Sequence, residues 1–255
     1  MLLACDIGNT RQKFALFEGT SLVELRTFSG DTFELEWLKK YPVKNVAISS
    51  VVPSVTGKLT GMFLEELNVK PFVITHESLF NLKIDYATPH SLGIDRICSA
   101  EGAFSLFSRE PSFKNYDKNT FLITVDLGTA STINIVKYNG IFDGGLIFPG
   151  ISTMAGSLSK NTAQLPEIDL LNDYKNFIGK DTRSSIASGI INSTLSLIEK
   201  TCCYLLEQHK PGFLRVYLTG GNARIVHEML SLEHQLAEDL VLQGVKAVFE
   251  RNMIE

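Results

Sequence analysis

Asp6-Ile-Gly-Asn-Thr-Arg-Gln-Lys13 ends the first apolar run of the chain, Leu2 to Ile7, and a second apolar run resumes from Lys13 to Phe17. Two short apolar runs joined by a glycine turn read as a β-hairpin. Gly8 permits a tight bend and a close approach of backbone N–H groups to a phosphate. Asn9 and Thr10 add neutral donors, and Lys13 puts a point charge where a β- or γ-phosphate could sit. Asp6, at the strand end, could orient Mg²⁺ through water, because that ion keeps much of its hydration shell. Taken alone, the octapeptide suits an ordinary hairpin equally well. The same order returns further on: Phe121 to Val125 is an apolar strand, and Asp126-Leu-Gly-Thr-Ala-Ser-Thr132 follows it with a carboxylate, a glycine and hydroxyls. Two such hairpins suit a clamp on a triphosphate. A third piece, Leu218-Thr-Gly-Gly-Asn-Ala223, puts a glycine turn at a helix start, suited to packing against a nucleoside.

The rest of the sequence bounds what such a clamp can belong to. The 255 residues are 44% hydrophobic and 20% charged, the composition of a folded chain with one large or two smaller cores. Lys and Arg number 24 against 28 Asp and Glu, a net charge of -4, and no basic block is present, which argues against a nucleic-acid binder. No apolar run reaches the ~18 residues of a membrane span, and Met1 to Asp6 lacks the basic flank and length of a signal peptide. Cys5, Cys98, Cys202 and Cys203 have neither disulfide-framework nor zinc spacing, and the five histidines form no HExxH pair. The expected compartment is the cytoplasm.

Along the chain, Leu22 to Phe28 reads as a strand, Glu34 to Tyr41 as a short amphipathic piece, and Asn45 to Val52 as a buried strand stopped by Pro53. Ser54 to Leu67 is helical in pattern and Pro71 to Thr75 reads as a strand; alternation of this kind indicates an α/β layer. Pro89-His-Ser-Leu-Gly-Ile-Asp-Arg96 leads into a helix ending near Phe107, with Asp95 at its start, where the helix dipole favours a carboxylate. The polar stretch Ser108 to Thr120 marks a boundary between domains at 1–115 and 116–255. Ser131–Lys137 and Ile141–Phe148 read as strands, Ser184 to Gln208 as a long helix, and Leu240 to Ile254 as a short strand followed by a helix.

The two phosphate-loop patterns and the glycine turn together resemble the acetate and sugar kinase/Hsp70/actin superfamily. More closely, the chain is similar over essentially its whole length to the type III pantothenate kinase family. That resemblance is carried by the Asp6 to Lys13 block, Ser49-Ser-Val-Val-Pro53, Tyr86-Ala-Thr-Pro-His-Ser-Leu-Gly-Ile-Asp-Arg96, Val125-Asp-Leu-Gly-Thr-Ala130, Gly144-Gly-Leu-Ile-Phe-Pro-Gly150, Thr162-Ala-Gln-Leu-Pro166, Thr182 with Ser188-Gly189, and Leu218 to Asn222. Gly-x-Asp-Arg after Tyr-x-x-Pro discriminates best, since other superfamily members lack it. The resemblance implies duplicated ribonuclease-H-like α/β domains and a kinase that uses ATP with Mg²⁺ to phosphorylate pantothenate, the first step towards coenzyme A.

It further implies roles for particular residues. Asp95 is the base toward the pantothenate hydroxyl. Asp6, Ile7, Gly8, Asn9, Thr10, Arg11, Gln12, Lys13 and Thr129 bind ATP. Tyr86, Gly93, Ile94, Asp95, Arg96 and Thr182 form the pantothenate pocket, and Asp126 holds a monovalent cation, K⁺ or NH₄⁺. A homodimer is implied too, with the long helix at the interface and the pocket partly built by the neighbour. Two other readings of the residues stay open: a different small-molecule or sugar kinase, and a transcriptional accessory relative acting through protein contacts.

Overall fold

The structure, a computed structural model, describes residues 1–30, 33–210 and 212–253. Its first elements are β1 (Leu2–Ile7), β2 (Arg11–Glu18), β3 (Ser21–Ser29), β4 (Asn45–Ser50), α1 (Pro53–Leu67), β5 (Phe72–Val73), β6 (Lys83–Ile84) and α2 (Ile94–Ser108). Then come β7 (Thr120–Leu127), β8 (Ala130–Lys137), β9 (Ile141–Pro149), α3 (Ile151–Asn161), α4 (Leu170–Asp173) and α5 (Thr182–Gln208). The chain continues through β10 (Phe213–Thr219), α6 (Ala223–His227), β11 (Gln235–Leu236) and α7 (Leu240–Met253). It divides into two units: Met1–Asn115 with Asn139–Asp143 and Asp239–Glu255, and Tyr116–Tyr138 with Gly144–Glu238. Among the described residues no helix is long and apolar enough to cross a membrane.

In the first unit the sheet runs β3-β2-β1-β4-β5, with β1 antiparallel to β2 and parallel to β4. The strand LLACDI is buried at every residue but Asp6, the last but one, as a central strand covered on both faces must be. Alternation sends Leu3, Cys5, Ile7, Phe14 and Leu16 into a core with Leu59 and Phe63 of α1. α1 starts at Pro53, whose missing N–H costs nothing there, and stops at Asn68 in the left-handed region, φ 54°. The opposite face of the sheet carries the small residues Ala4, Ala15 and Ala47, fully buried, and α2 and α7 pack on that side.

Glycines set how closely those two helices cross. A Cβ on Gly102 would lie 2.1 Å from the carbonyl oxygen of Leu240, and one on Gly244 would lie 1.7 Å from that of Cys98. Sequence order puts the last helix with the second half of the chain, but this backbone-to-backbone crossing holds it against α2 in the first unit. The expected short strand at its start is absent: the segment is helical from Leu240 to Met253, and Ile254 lies outside the described residues. A buried apolar run such as Leu240-Val-Leu does not by itself distinguish a strand from a helix. Likewise the expected strand Pro71 to Thr75 contracts to Phe72–Val73, at the sheet edge.

The second unit repeats the pattern. Its strands run β11-β10-β7-β8-β9, so β7, β8, β9, β10 and β11 stand where β1, β2, β3, β4 and β5 stand in the first. The pairings agree too: β7 is antiparallel to β8 and parallel to β10. This is the duplicated ribonuclease-H-like α/β architecture that the repeated Asp-x-Gly turn leads one to expect. Phe121, Ile123 and Val125 of β7 share a core with Ile191, Ile198 and Leu205 of α5. Asp181 caps α5 by accepting from the Ser184 N–H at 2.9 Å, while the Ser184 hydroxyl accepts from the Asp181 N–H.

Candidate functional site

The β1–β2 register ends at the pairs Asp6↔Lys13 and Ile7↔Gln12, which leaves Gly8 to Arg11 as the turn. The Gly8 N–H donates to the Arg11 carbonyl at 3.1 Å, and a Cβ on Gly8 would lie 3.1 Å from that oxygen. Asn9, Thr10 and Arg11 are exposed at the tip, and Asp6 and Lys13 are half-buried. Ile7 and Gln12 point into the interior, 0% and 1% exposed, so only their backbone faces the turn. The Gln12 amide donates to the Gly8 carbonyl at 3.4 Å and so braces the bend from beneath.

Asp6 has Ser49 as its register partner on β4, and the Cys98 thiol of α2 lies beside both. Burial pushes that thiol well above its ordinary pKa; the Ser49 hydroxyl draws it part of the way back, and the charges of Asp6, Glu101 and Asp95 raise it further. The thiol is therefore a neutral, unreactive filler.

Asp95 is the second residue of α2, half-buried, and its Oδ1 accepts from the Arg96 N–H at 2.9 Å. Gly93 stands two residues before it, and a Cβ there would lie 2.4 Å from that oxygen, so a side chain at this position would displace the carboxylate. Ile94 turns into the core, 8% exposed. Arg96 is only 6% exposed, with its guanidinium 6.0 Å from the Tyr86 ring centroid and 5.7 Å from that of Phe142. The two rings meet edge to face at 6.2 Å. The structure thus brings Tyr86, Gly93, Ile94, Asp95 and Arg96 together, and adds Phe142, which the sequence patterns do not single out. Glu101 is also missing from those patterns; its one signal is a lone carboxylate inside the apolar helix Ile97-Cys-Ser-Ala-Glu-Gly-Ala103.

The second unit builds a matching bend. Asp126, Leu127, Gly128, Thr129 and Ala130 have the same burial order as Asp6 to Thr10: half-buried, buried, half-buried, exposed, exposed. Here the bend is fixed from both sides. A Cβ on Gly150 would lie 2.0 Å from the Gly128 carbonyl; the Gly150 N–H and the Thr153 hydroxyl both donate to the Thr129 carbonyl, at 3.0 and 2.6 Å. The Asn222 N–H donates to the Leu127 carbonyl at 3.0 Å, which ties the glycine turn after β10 to the same bend. Gly220, at φ +96°, faces Asp126: a Cβ there would lie 2.5 Å from Oδ1. The same Cβ would lie 2.5 Å from the Leu127 nitrogen, so glycine is what lets the turn after β10 pack this closely against the Asp126 bend. Gly145, at φ +155°, packs against the Ile133 carbonyl and serves the sheet.

Thr182 opens α5 and lines a shallow, open depression of the surface with Leu165, Gly179, Lys180, Asp181, Ser185 and Ile186. Neither Asp126 nor Thr129 lines it. Beside it, the Phe177 carbonyl is held by the Ser188 hydroxyl and the Asn192 amide, while the Phe177 side chain is 72% exposed.

A family model described as type III pantothenate kinase matches residues 2–203. The type III pantothenate kinase of Sulfurihydrogenibium sp. (strain YO3AOP1) is 34% identical over 260 residues, covering 96% of this chain and 98% of the relative. That of Persephonella marina is 34% identical over 264 residues, covering 98% of each. Among solved structures, a chain from Campylobacter jejuni assigned to the Baf family of transcriptional activators superposes with a TM-score of 0.60 at 20% identity, over 99% of this chain and 100% of that one. Likeness at that identity speaks to the fold.

Proposed function

We infer that this chain, which belongs to the type III pantothenate kinase family, transfers the γ-phosphoryl group of ATP to the primary hydroxyl of pantothenate. The products are ADP and 4′-phosphopantothenate, at the entry to coenzyme A synthesis. The observation that carries this reading is the cluster at the start of α2, where the Asp95 carboxylate stands beside a buried arginine and two aromatic rings.

Phosphoryl transfer asks a protein mainly for positioning and charge stabilisation. In this reading the Gly8 bend offers its N–H groups, with Asn9, Thr10 and Lys13, to the phosphates, and Thr129 of the second bend adds a hydroxyl. Asp6 and the backbone at Ile7, Arg11 and Gln12 shape that grip. Asp95 accepts the hydroxyl proton as the oxygen attacks the γ-phosphorus and ADP departs. Arg96 supplies a fixed cation to the pantothenate carboxylate, and Tyr86 and the Gly93–Ile94 backbone wall the pocket. Asp6 would hold Mg²⁺ through water, and that ion supplies charge neutralisation on the phosphate oxygens when bound. In this reading the Asp126 carboxylate would hold K⁺ or NH₄⁺ beside the second bend, offsetting the charge of the triphosphate. The enzyme works in the cytoplasm in this reading.

An ADP-release assay tests it. Turnover is expected with pantothenate and not with hexoses, and replacing K⁺ or NH₄⁺ by Na⁺ lowers the rate about tenfold, a loss of roughly 1.4 kcal/mol of stabilisation. Equal rates in the three salts would remove the Asp126 cation site. Turnover of a sugar in place of pantothenate would reassign the substrate.

We also propose a homodimer that shares the pocket at Thr182. Phe177, Ile178 and Leu171 are 72%, 66% and 63% exposed just before α5, an apolar surface that suits a second copy. Phe177→Asp with Ile178→Asp is expected to halve the mass measured by light scattering and to lower kcat/KM for pantothenate. An unchanged mass would move the interface elsewhere.

A further inference from the structure

Glu101 is fully buried on α2, and its carboxylate is used up by one segment of chain. Oε1 accepts from the Leu82 N–H at 2.8 Å and Oε2 from the Asn81 side-chain amide at 3.0 Å. The Asn81 backbone also bonds to the carboxylate. Burial of such a group without partners is costly, and these donors satisfy it. The segment it holds runs directly into β6, which is fixed in turn at its start and just past its end: the Lys83 N–H donates to the Gly140 carbonyl at 2.8 Å and the Asp85 N–H to the Phe142 carbonyl at 3.0 Å. Tyr86 is the next residue, and its ring rests on Phe142. One helix therefore carries Asp95 and Arg96 in its first turn and, further along, the carboxylate that fixes the strand leading to Tyr86.

We propose that Glu101 is a positioning residue for the acceptor pocket, setting the placement of Tyr86 against Asp95 and Arg96 through its bonds to Asn81 and Leu82. The proposal rests on the pantothenate reading of that pocket. Nothing in it concerns the phosphate bends, so its effect falls on one substrate. An apolar residue of similar length leaves the Leu82 N–H without its acceptor, whereas glutamine restores one acceptor to the site.

The test compares Glu101→Met and Glu101→Gln with the unaltered protein, using steady-state kinetics for both substrates and amide hydrogen exchange. Glu101→Met is expected to raise KM for pantothenate about tenfold with KM for ATP within about twofold, and Glu101→Gln to recover most of the loss. The amides of Leu82, Lys83 and Asp85 exchange faster in the methionine variant. A fall in melting temperature with both KM values unchanged, or a parallel rise in both, would overturn the positioning role. Should Glu101→Met not fold, the same split of KM values is read in Asn81→Ala, which removes the side-chain donor to Oε2 and leaves Oε1 its bond from the Leu82 N–H. If the unaltered protein turns over no pantothenate, the substrate assignment falls, and exchange at Leu82 to Asp85 alone decides whether Glu101 fixes the strand.

Discussion

Asp95→Asn abolishes turnover and leaves the protein folded. Asparagine matches aspartate in shape and keeps an oxygen for the Arg96 N–H, which Asp95 Oδ1 receives at 2.9 Å. The close fit to Gly93 is also unchanged, because no atom is added. What disappears is the acceptor for the hydroxyl proton. A positioned general base contributes about 10²–10⁴-fold, and a loss in that range is expected in kcat, with KM for ATP little altered. Initial rates of ADP release and a thermal melt check the two halves of the statement. A variant within a few-fold of full activity would reject Asp95 as the base.

Gly244→Val is expected to remove both stability and activity. The added Cβ would sit 1.7 Å from the Cys98 oxygen, 2.6 Å from its carbonyl carbon and 2.9 Å from the Gly102 nitrogen. All three are backbone atoms of α2, so no side chain can swing aside, and α7 must move off the helix that carries Asp95. Overpacking in a well-filled core costs about 1–3 kcal/mol where side chains can adjust, and a backbone clash belongs at or above the top of that range. Gly57→Ala is the control: it is helical, exposed, and has nothing within 4 Å of its added Cβ. That change should be neutral or stabilising by up to about 1 kcal/mol. Chemical denaturation of the two variants reads the contrast, and a Gly244→Val protein as stable as the control would mean that the helix crossing is looser than described.

Both Asp-x-Gly bends are legible in the sequence because each condenses a strand end, a turn and a second strand into a few residues with period-two alternation. From these the duplicated α/β architecture follows, and the helix start at Asp95 is legible from the small and apolar run after it. Local pattern fails where the deciding contact is distant. The helix α7 belongs to the first unit because Gly102 and Gly244 let two backbones touch, and they lie far apart in the chain. The helix α3 has apolar residues only at Ile151, Met154, Ala155 and Leu158, set among serines, a glycine and an asparagine of low helix propensity, so its pattern is thin. Glu101 looks like a stray charge until Leu82 and Asn81 are seen to converge on it. Phe142 is an ordinary strand aromatic until the guanidinium of Arg96 is found over it. At the bends, the sequence groups Ile7 and Gln12 with the residues around them, while the pleat turns both side chains inward.

A crystal structure of the protein with pantothenate and a non-hydrolysable ATP analogue tests the central claim most directly. The account predicts an Asp95 carboxylate oxygen within about 3.2 Å of the primary hydroxyl oxygen, with that hydroxyl facing the γ-phosphorus. A hydroxyl held by another side chain, with Asp95 turned away from it in every copy, would contradict the account.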